Sequence, residues 1–279
     1  MVPGDAELTV VPAREDKARR ARTALVLGVA VVLALILVRQ PSLAGLPGFA
    51  WSTSVLLGAV VLGWQSGLFA RAHAVLRLGA IRRDGLAATT KLNEGDVAGA
   101  RTGFAALLRT ARPLGAFHAV HVLMYGVTRF FEGETKEGLT LASRALDSGW
   151  FDLRHTLAVK EAAETWRILM LLELGELAEA RRRVDDARKG SLALAALAVN
   201  AHDGKWEAVL SEAARTIADP QFQKQGKPAV AALGLYAAKK LGREGSDFQE
   251  CLAESPPGPL LLKNPALREF LQPPGPARS

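Results

Sequence analysis

Two long runs without a charged residue stand near the start of the chain, and short amphipathic stretches follow them. The first run, TALVLGVAVVLALILV from Thr23 to Val38, makes about 24 Å of helix against a hydrocarbon layer of about 30 Å. Arg22 and Arg39 can reach outward from its ends, and the helix can extend over the uncharged Gln40 to Leu43. Pro41, Gly45, Pro47 and Gly48 then break it. The second run, from Phe49 to Ala70, is long enough to span, with Trp51 near one end and Trp64 and Phe69 towards the other, where interfacial aromatics sit. The pattern predicts a two-helix transmembrane hairpin, at about 23–40 and 49–70. A cleaved leader or a buried soluble hairpin could share parts of it, but two apolar segments so close together argue against both.

From Arg71 onward the period changes to that of short amphipathic helices punctuated by glycine. The stretch LNEGDVAGARTGF, from Leu92 to Phe104, sets the theme. Gly95 suits the left-handed backbone of a tight helix–helix turn, and Asp96 stands where a carboxylate meets the positive end of the next helix. Ala100, Phe104 and Leu108 recur at four-residue spacing on one face. FEGETKEGLTLASRAL, LELGELAEARRRV and AHDGKWEAVLSEA repeat the theme at Gly133, Gly175 and Gly204. The glycines are spaced by about 36 residues on average, near the length of a helix pair. A helix pair cannot bury its apolar face alone, so such pairs stack.

These segments resemble degenerate tetratricopeptide repeats. Gly95, Ala100 and Phe104 match the motif in the first repeat, with Pro113 one place late for its closing proline. Gly126, Gly133, Ala145 and Leu146 match in the second, where Gly138 stands for the packing alanine. Gly175, Ala180 and Ala187 match in the third, and Gly204 and Trp206 in the fourth, where Val209 replaces the alanine and Pro220 lies near the end. The likeness covers roughly residues 78–220. It implies an all-α fold in which the hairpin precedes a helical-repeat solenoid. The layout is also similar to the HemY type, a two-span hairpin followed by a basic helix and repeats. Some tetratricopeptide proteins clamp a C-terminal carboxylate with polar inner-face residues; here Leu123 and Val127 stand at such positions, so an apolar groove is expected.

Charge refines this picture. The chain has 35 Lys and Arg against 28 Asp and Glu, a formal net charge of +7. Much of the excess flanks the apolar runs: Lys17, Arg19, Arg20 and Arg22 before, and Arg71, Arg77, Arg82 and Arg83 after, with no charge between Gln40 and Gly48. The positive-inside rule puts both ends in the cytoplasm, and these residues can also touch anionic headgroups. The expected organisation is a basic tail over 1–22, the hairpin over 23–70, repeats over 71–255, and a Pro-rich tail over 256–279. In that tail, Asn264 and Pro265 suit the start of a short helix that could cap the array or bind a partner. The Ala-, Arg- and Gly-rich composition suggests a bacterial source, hence a bacterial inner membrane.

Candidate chemistry is sparse. The one cysteine, Cys251, excludes an intrachain disulfide and reads as a small buried hydrophobe. His118 and His121, in HAVH, share a helix face and could hold a metal, yet no acidic or Cys partner stands at useful spacing. His155 and His202 are isolated. Asp185 and Asp186 point apart on a helix, and Glu161 and Glu164 share a face without an evident pocket. Arg181, Arg182 and Arg183, with Arg188 and Lys189, form a basic run that reads as a solvated face or as a site for an acidic peptide or phosphate. No phosphate-cradling glycine loop and no RNA-binding aromatic signature occurs. The expectation is a membrane-anchored adaptor or scaffold that binds protein or peptide partners, with no cofactor, nucleic acid or catalysis. The alternatives are a structural subunit assembled through the hairpin, where Gly58, Gly63, Ser66 and Gly67 could pack, and a metal protein using His118 and His121.

Overall fold

The computed structural model describes residues 8–11, 73–152, 156–187, 192–220, 222, 226–254 and 270. The expected hairpin at 23–70 lies outside the described residues, as do Lys17, Arg19, Arg20, Arg22 and Arg71. Among the described residues no helix is long and apolar enough to cross a membrane, and there is no strand. What is described is all-α. The helices are α1 (Leu78–Asn93), α2 (Val97–Ala111), α3 (Ala116–Phe131), α4 (Thr135–Asp147), α5 (Leu157–Glu173), α6 (Leu177–Asp185), α7 (Ala193–His202), α8 (Trp206–Ala218), α9 (Lys227–Lys240) and α10 (Ser246–Glu254), with a 3-10 turn, Arg112–Leu114, before α3.

All four glycines of the repeated turn adopt positive φ: 86° at Gly95, 92° at Gly133, 76° at Gly175 and 69° at Gly204. The hydrogen bonding is also the same each time. The Gly95 amide donates to the Leu92 carbonyl and the Asp96 amide to Lys91, at 3.1 and 2.9 Å. Equivalent pairs join Gly133 and Glu134 to Phe130 and Arg129, Gly175 and Glu176 to Leu172 and Leu171, and Gly204 and Lys205 to Ala201 and Asn200. Two orphan carbonyls of each ending helix are thereby satisfied, and the chain reverses at once. A fifth turn has the same bonds: Gly242, φ 66°, donates to Lys239, and Arg243 donates to Ala238. It joins α9 to α10, the further helix pair that the sequence beyond Pro220 suggests, with Ser246 at the start of its second helix. Of the residues that follow these glycines, Asp96 is the one whose side chain caps the next helix, accepting from the Gly99 amide at 2.9 Å.

Each helix packs on the next in the order of the chain from α1 to α10, and α3 also packs on α5, α5 on α7, and α7 on α9. The core follows that order. One buried cluster runs from Ile81 in α1 to Met170 in α5. A second, around Ile168, Leu171, Ala180 and Ala195, joins α5, α6 and α7. A third holds Leu197, Val209, Val230 and Phe248 from α7 to α10. Ala100, Ala145 and Ala180 are fully buried, and Phe104 nearly so. Ala187 lies past the end of α6 and is half-buried against the middle cluster. Edge-on contacts of Phe130 and Phe131 with Trp166, at 6.3 and 5.8 Å, join α3 to α5.

A pairing recurs where one helix pair meets the next. At two junctions the residue six places after a turn glycine pairs with the residue just before the next turn glycine. After Gly95 this joins Arg101 to Glu132 at 3.0 Å. After Gly175 it joins Arg181 to Asp203, Nε to Oδ2 at 3.2 Å. After Gly133 and Gly204 the equivalent residues are Leu139 with Leu174, and Leu210 with Leu241, all half-buried.

Gly126 in α3 and Gly138 in α4 explain the missing alanine of the second repeat. A Cβ on Gly138 would lie 2.7 Å from the Gly126 carbonyl oxygen, and one on Gly126 would lie 3.0 Å from the Gly138 carbonyl. The helices meet backbone to backbone, closer than alanine allows.

Two glycine substitutions should therefore fail for different reasons. At Gly175 a Cβ meets nothing within 4 Å, so Gly175→Ala should cost about 1–2 kcal/mol through its positive φ alone. Gly138→Ala gains about 1 kcal/mol in helix propensity but overlaps backbone, and a net loss of about 1–3 kcal/mol is expected. Denaturant unfolding followed by circular dichroism reads both. A Gly138→Ala chain as stable as the parent would rule out the close α3–α4 contact.

Candidate partner-binding surface

The structure gives the basic run Arg181, Arg182 and Arg183 its own partners. Arg181 pairs with Asp203, which Lys205 also meets at 3.0 Å. Arg182 binds Glu179 through Nε and Nη2 at 2.8 and 2.7 Å, and Asp186 at 3.0 Å. Arg183 reaches Glu179 at 2.8 Å and Glu164 at 3.5 Å. Hydrogen bonding from Arg182 holds the Glu179 carboxyl down at about 2, and bonding from Arg181 and Lys205 does the same for Asp203. An acidic ligand at this face would have to compete with carboxylates already seated. Arg188 and Lys189 lie outside the described residues.

His118 and His121 are both buried in α3, on its packed side. His118 points its Nε2 at the carbonyl of Val10, 3.3 Å away. His121 lies by Phe104 of α2, with ring centroids 6.4 Å apart, and its Nε2 faces Gly85 of α1, where a Cβ would stand 3.2 Å away. Burial, and secondarily the neighbouring His118, lowers the His121 pKa to about 4. The two rings serve different neighbours, and no group of three His, Cys, Asp or Glu able to hold a metal occurs among the described residues.

Exposed apolar side chains occur on α1, α3 and α5, each the first helix of its pair: Leu86, Phe117 and Leu157. Val75 and Leu76, ahead of α1, are exposed too. Arg77, Arg82 and Arg83 are exposed beside them. Leu123 and Val127 are buried, so neither is available as a groove contact. At the far end an open depression of about 560 Å³ lies between α9 and α10, lined in part by Lys239, Arg243, Ser246, Gln249 and Phe270. Phe270, the one described residue of the Pro-rich tail, sits edge-on to Tyr236 at 5.4 Å and under the Lys239 ammonium at 4.8 Å. Tyr236 in turn meets Trp206 at 5.6 Å. Cys251 is half-buried against the last core cluster, and burial raises its thiol pKa.

One contact has no local sign in the sequence. Leu8–Val11, from the stretch ahead of the first apolar run, lies on α3 and α4. Arg144 of α4 donates through Nη1 to the Thr9 hydroxyl at 3.2 Å, and Thr9 is fully buried. Leu8 and Val11 pack against the first core cluster. No local periodicity could announce a contact that spans more than a hundred residues.

No protein-family model matches the chain, and neither a curated protein nor a solved structure matches it. The tetratricopeptide likeness therefore stands on the residues themselves.

His121 gives this surface a pH signature. Its folded pKa, about 4, lies below the ordinary 6.5, so the unfolded chain binds the proton more readily between those values. The His121 contribution to stability should fall as pH drops through 6.5 and level off below about 4, with a total on the order of 3 kcal/mol. His121→Leu should show a smaller loss than the parent between pH 7 and pH 5, read as the shift in urea midpoint. An identical shift in both chains would remove His121 as the cause.

Proposed function

We propose that the chain is a membrane-anchored adaptor whose helix pairs stack as a tetratricopeptide-like solenoid and hold protein partners without covalent chemistry. The observation that carries the reading is the recurrence, five times, of one glycine-closed turn with identical hydrogen bonds. Supporting it are the α3–α5, α5–α7 and α7–α9 contacts, which join the first helices of the second to fifth pairs in order. Leu86, Phe117 and Leu157 lie exposed on such helices and suit an apolar partner segment. Tethering to a bilayer raises the concentration of the array around membrane-bound partners.

The seat of Leu8–Val11 bears on topology. That segment precedes the 23–70 run, and the helix pairs follow it, yet the two touch. A chain that enters a bilayer between them must come back, which favours a hairpin over a single span. The basic flanks then favour the cytoplasmic side of a bacterial inner membrane.

Reporters at both ends test the anchoring. Fluorescent-protein fusions at either terminus should glow and alkaline-phosphatase fusions should stay inactive; phosphatase activity at one end alone would contradict the hairpin. Photocrosslinkers test the adaptor role. Placed at Phe117 and Leu157, they should trap discrete protein partners, whereas partners trapped solely from 23–70 would mean assembly through the hairpin.

A further inference from the structure

We infer that the surface of α3 and α4 under Leu8–Val11 is a peptide-docking seat, occupied in cis by the chain's own segment and built to take a partner segment of the same pattern: aliphatic, threonine, any residue, aliphatic. The inference rests on the adaptor reading and gives it a ligand chemistry.

The four residues divide their roles as a short recognition motif does. Leu8 and Val11 turn to the core cluster as apolar anchors. Val10 between them is 52% exposed and contributes its backbone. A carbonyl can only accept, so His118 carries its proton on Nε2 and donates to Val10, a contact indifferent to the side chain there. Thr9 is 0% exposed, and its hydroxyl accepts from the Arg144 guanidinium. Arg144 is itself exposed, so the selectivity lies with the buried hydroxyl, whose desolvation a charged donor offsets.

The occupant is held weakly enough to be exchanged. Four residues cover far less than the roughly 800 Å² per partner of a stable interface. They are held mainly because they belong to the same chain, which makes the contact intramolecular. A partner segment that repeats these contacts and adds one to Phe117, exposed beside His118, outcompetes that hold.

The test uses the full-length protein in detergent or nanodiscs and a fluorescent peptide, DAELTVVPA, copied from residues 5–13. Thr9→Lys puts a cation against Arg144 and evicts the segment without touching any helix. The Thr9→Lys chain should bind the peptide at least about tenfold more tightly than the parent, whose seat is filled. Adding Arg144→Ala, or replacing the peptide's threonine with valine, should weaken binding about tenfold. Leu8→Ser with Val11→Ser provides a second way to empty the seat. Equal binding to parent and emptied chains, or none to either emptied chain at full helicity, would overturn the seat. A concentration-dependent dimer of the parent that disappears in Thr9→Lys would overturn it too, assigning the site to a second copy. No partner protein enters the assay, so its result stands apart from the crosslinking: bound peptide without crosslinks sinks the adaptor, and crosslinks without bound peptide sink the seat.

Discussion

A helix that ends inside a packed array leaves carbonyls that must be bonded, and here that demand is met by a single left-handed residue. With φ positive at Gly95, Gly133, Gly175, Gly204 and Gly242, two successive amides fold back onto the helix just finished. In the first four turns the next helix starts two residues after the glycine, too soon for the pair to separate. The facing surfaces follow from that. Five places after the glycine comes a small residue or valine at the helix contact: Ala100, Gly138, Ala180, Val209. Most of the turn glycines have empty space where a Cβ would stand. The requirement there is one of backbone conformation and not of room, unlike Gly138, where room is all that matters.

That division explains what could be read from the sequence. The four early turns were legible because glycine, an adjacent polar residue and a small residue five places later recur in fixed order. The fifth pair is legible as two helices beyond Pro220, but its turn departs from that order, since Asp247 occupies the small position and α10 begins four residues after Gly242 instead of two. Phe248 does the packing there. Ala187 fits the repeat by alignment, yet α6 stops at Asp185, before it. The arginine run looked free because Glu164 and Asp203 come from α5 and the end of α7, beyond any local window. The seat of Leu8–Val11 was illegible for the same reason, carried further: its contacts join residues far apart in the chain, and neither end shows a periodicity.

Among the described residues, several arginines are engaged within the molecule. Arg129, near the end of α3, binds Glu132 at 2.6 Å and Glu137 at 2.8 Å, tying the second turn to the helix that follows. Arg243 reaches back from the fifth turn to Glu207 of α8 at 2.7 Å. Exposed pairs such as Arg243–Glu207 add little stability each; this one ties the last pair of helices to the pair before it. The net excess of +7 thus reflects the flanks of the apolar runs more than any basic groove in the array.

The junction pairs carry a consequence for how such a chain can be lengthened or cut. Arginine with a carboxylate, two leucines, arginine with a carboxylate, two leucines: the junction positions alternate in kind along the sequence. Excise the second module alone, and Arg101 would face the position of Leu174, without a carboxylate. Excise the second and third together, and Arg101 would face that of Asp203, a matched ion pair. Cuts made two modules at a time preserve the charge pairing, and cuts of one do not.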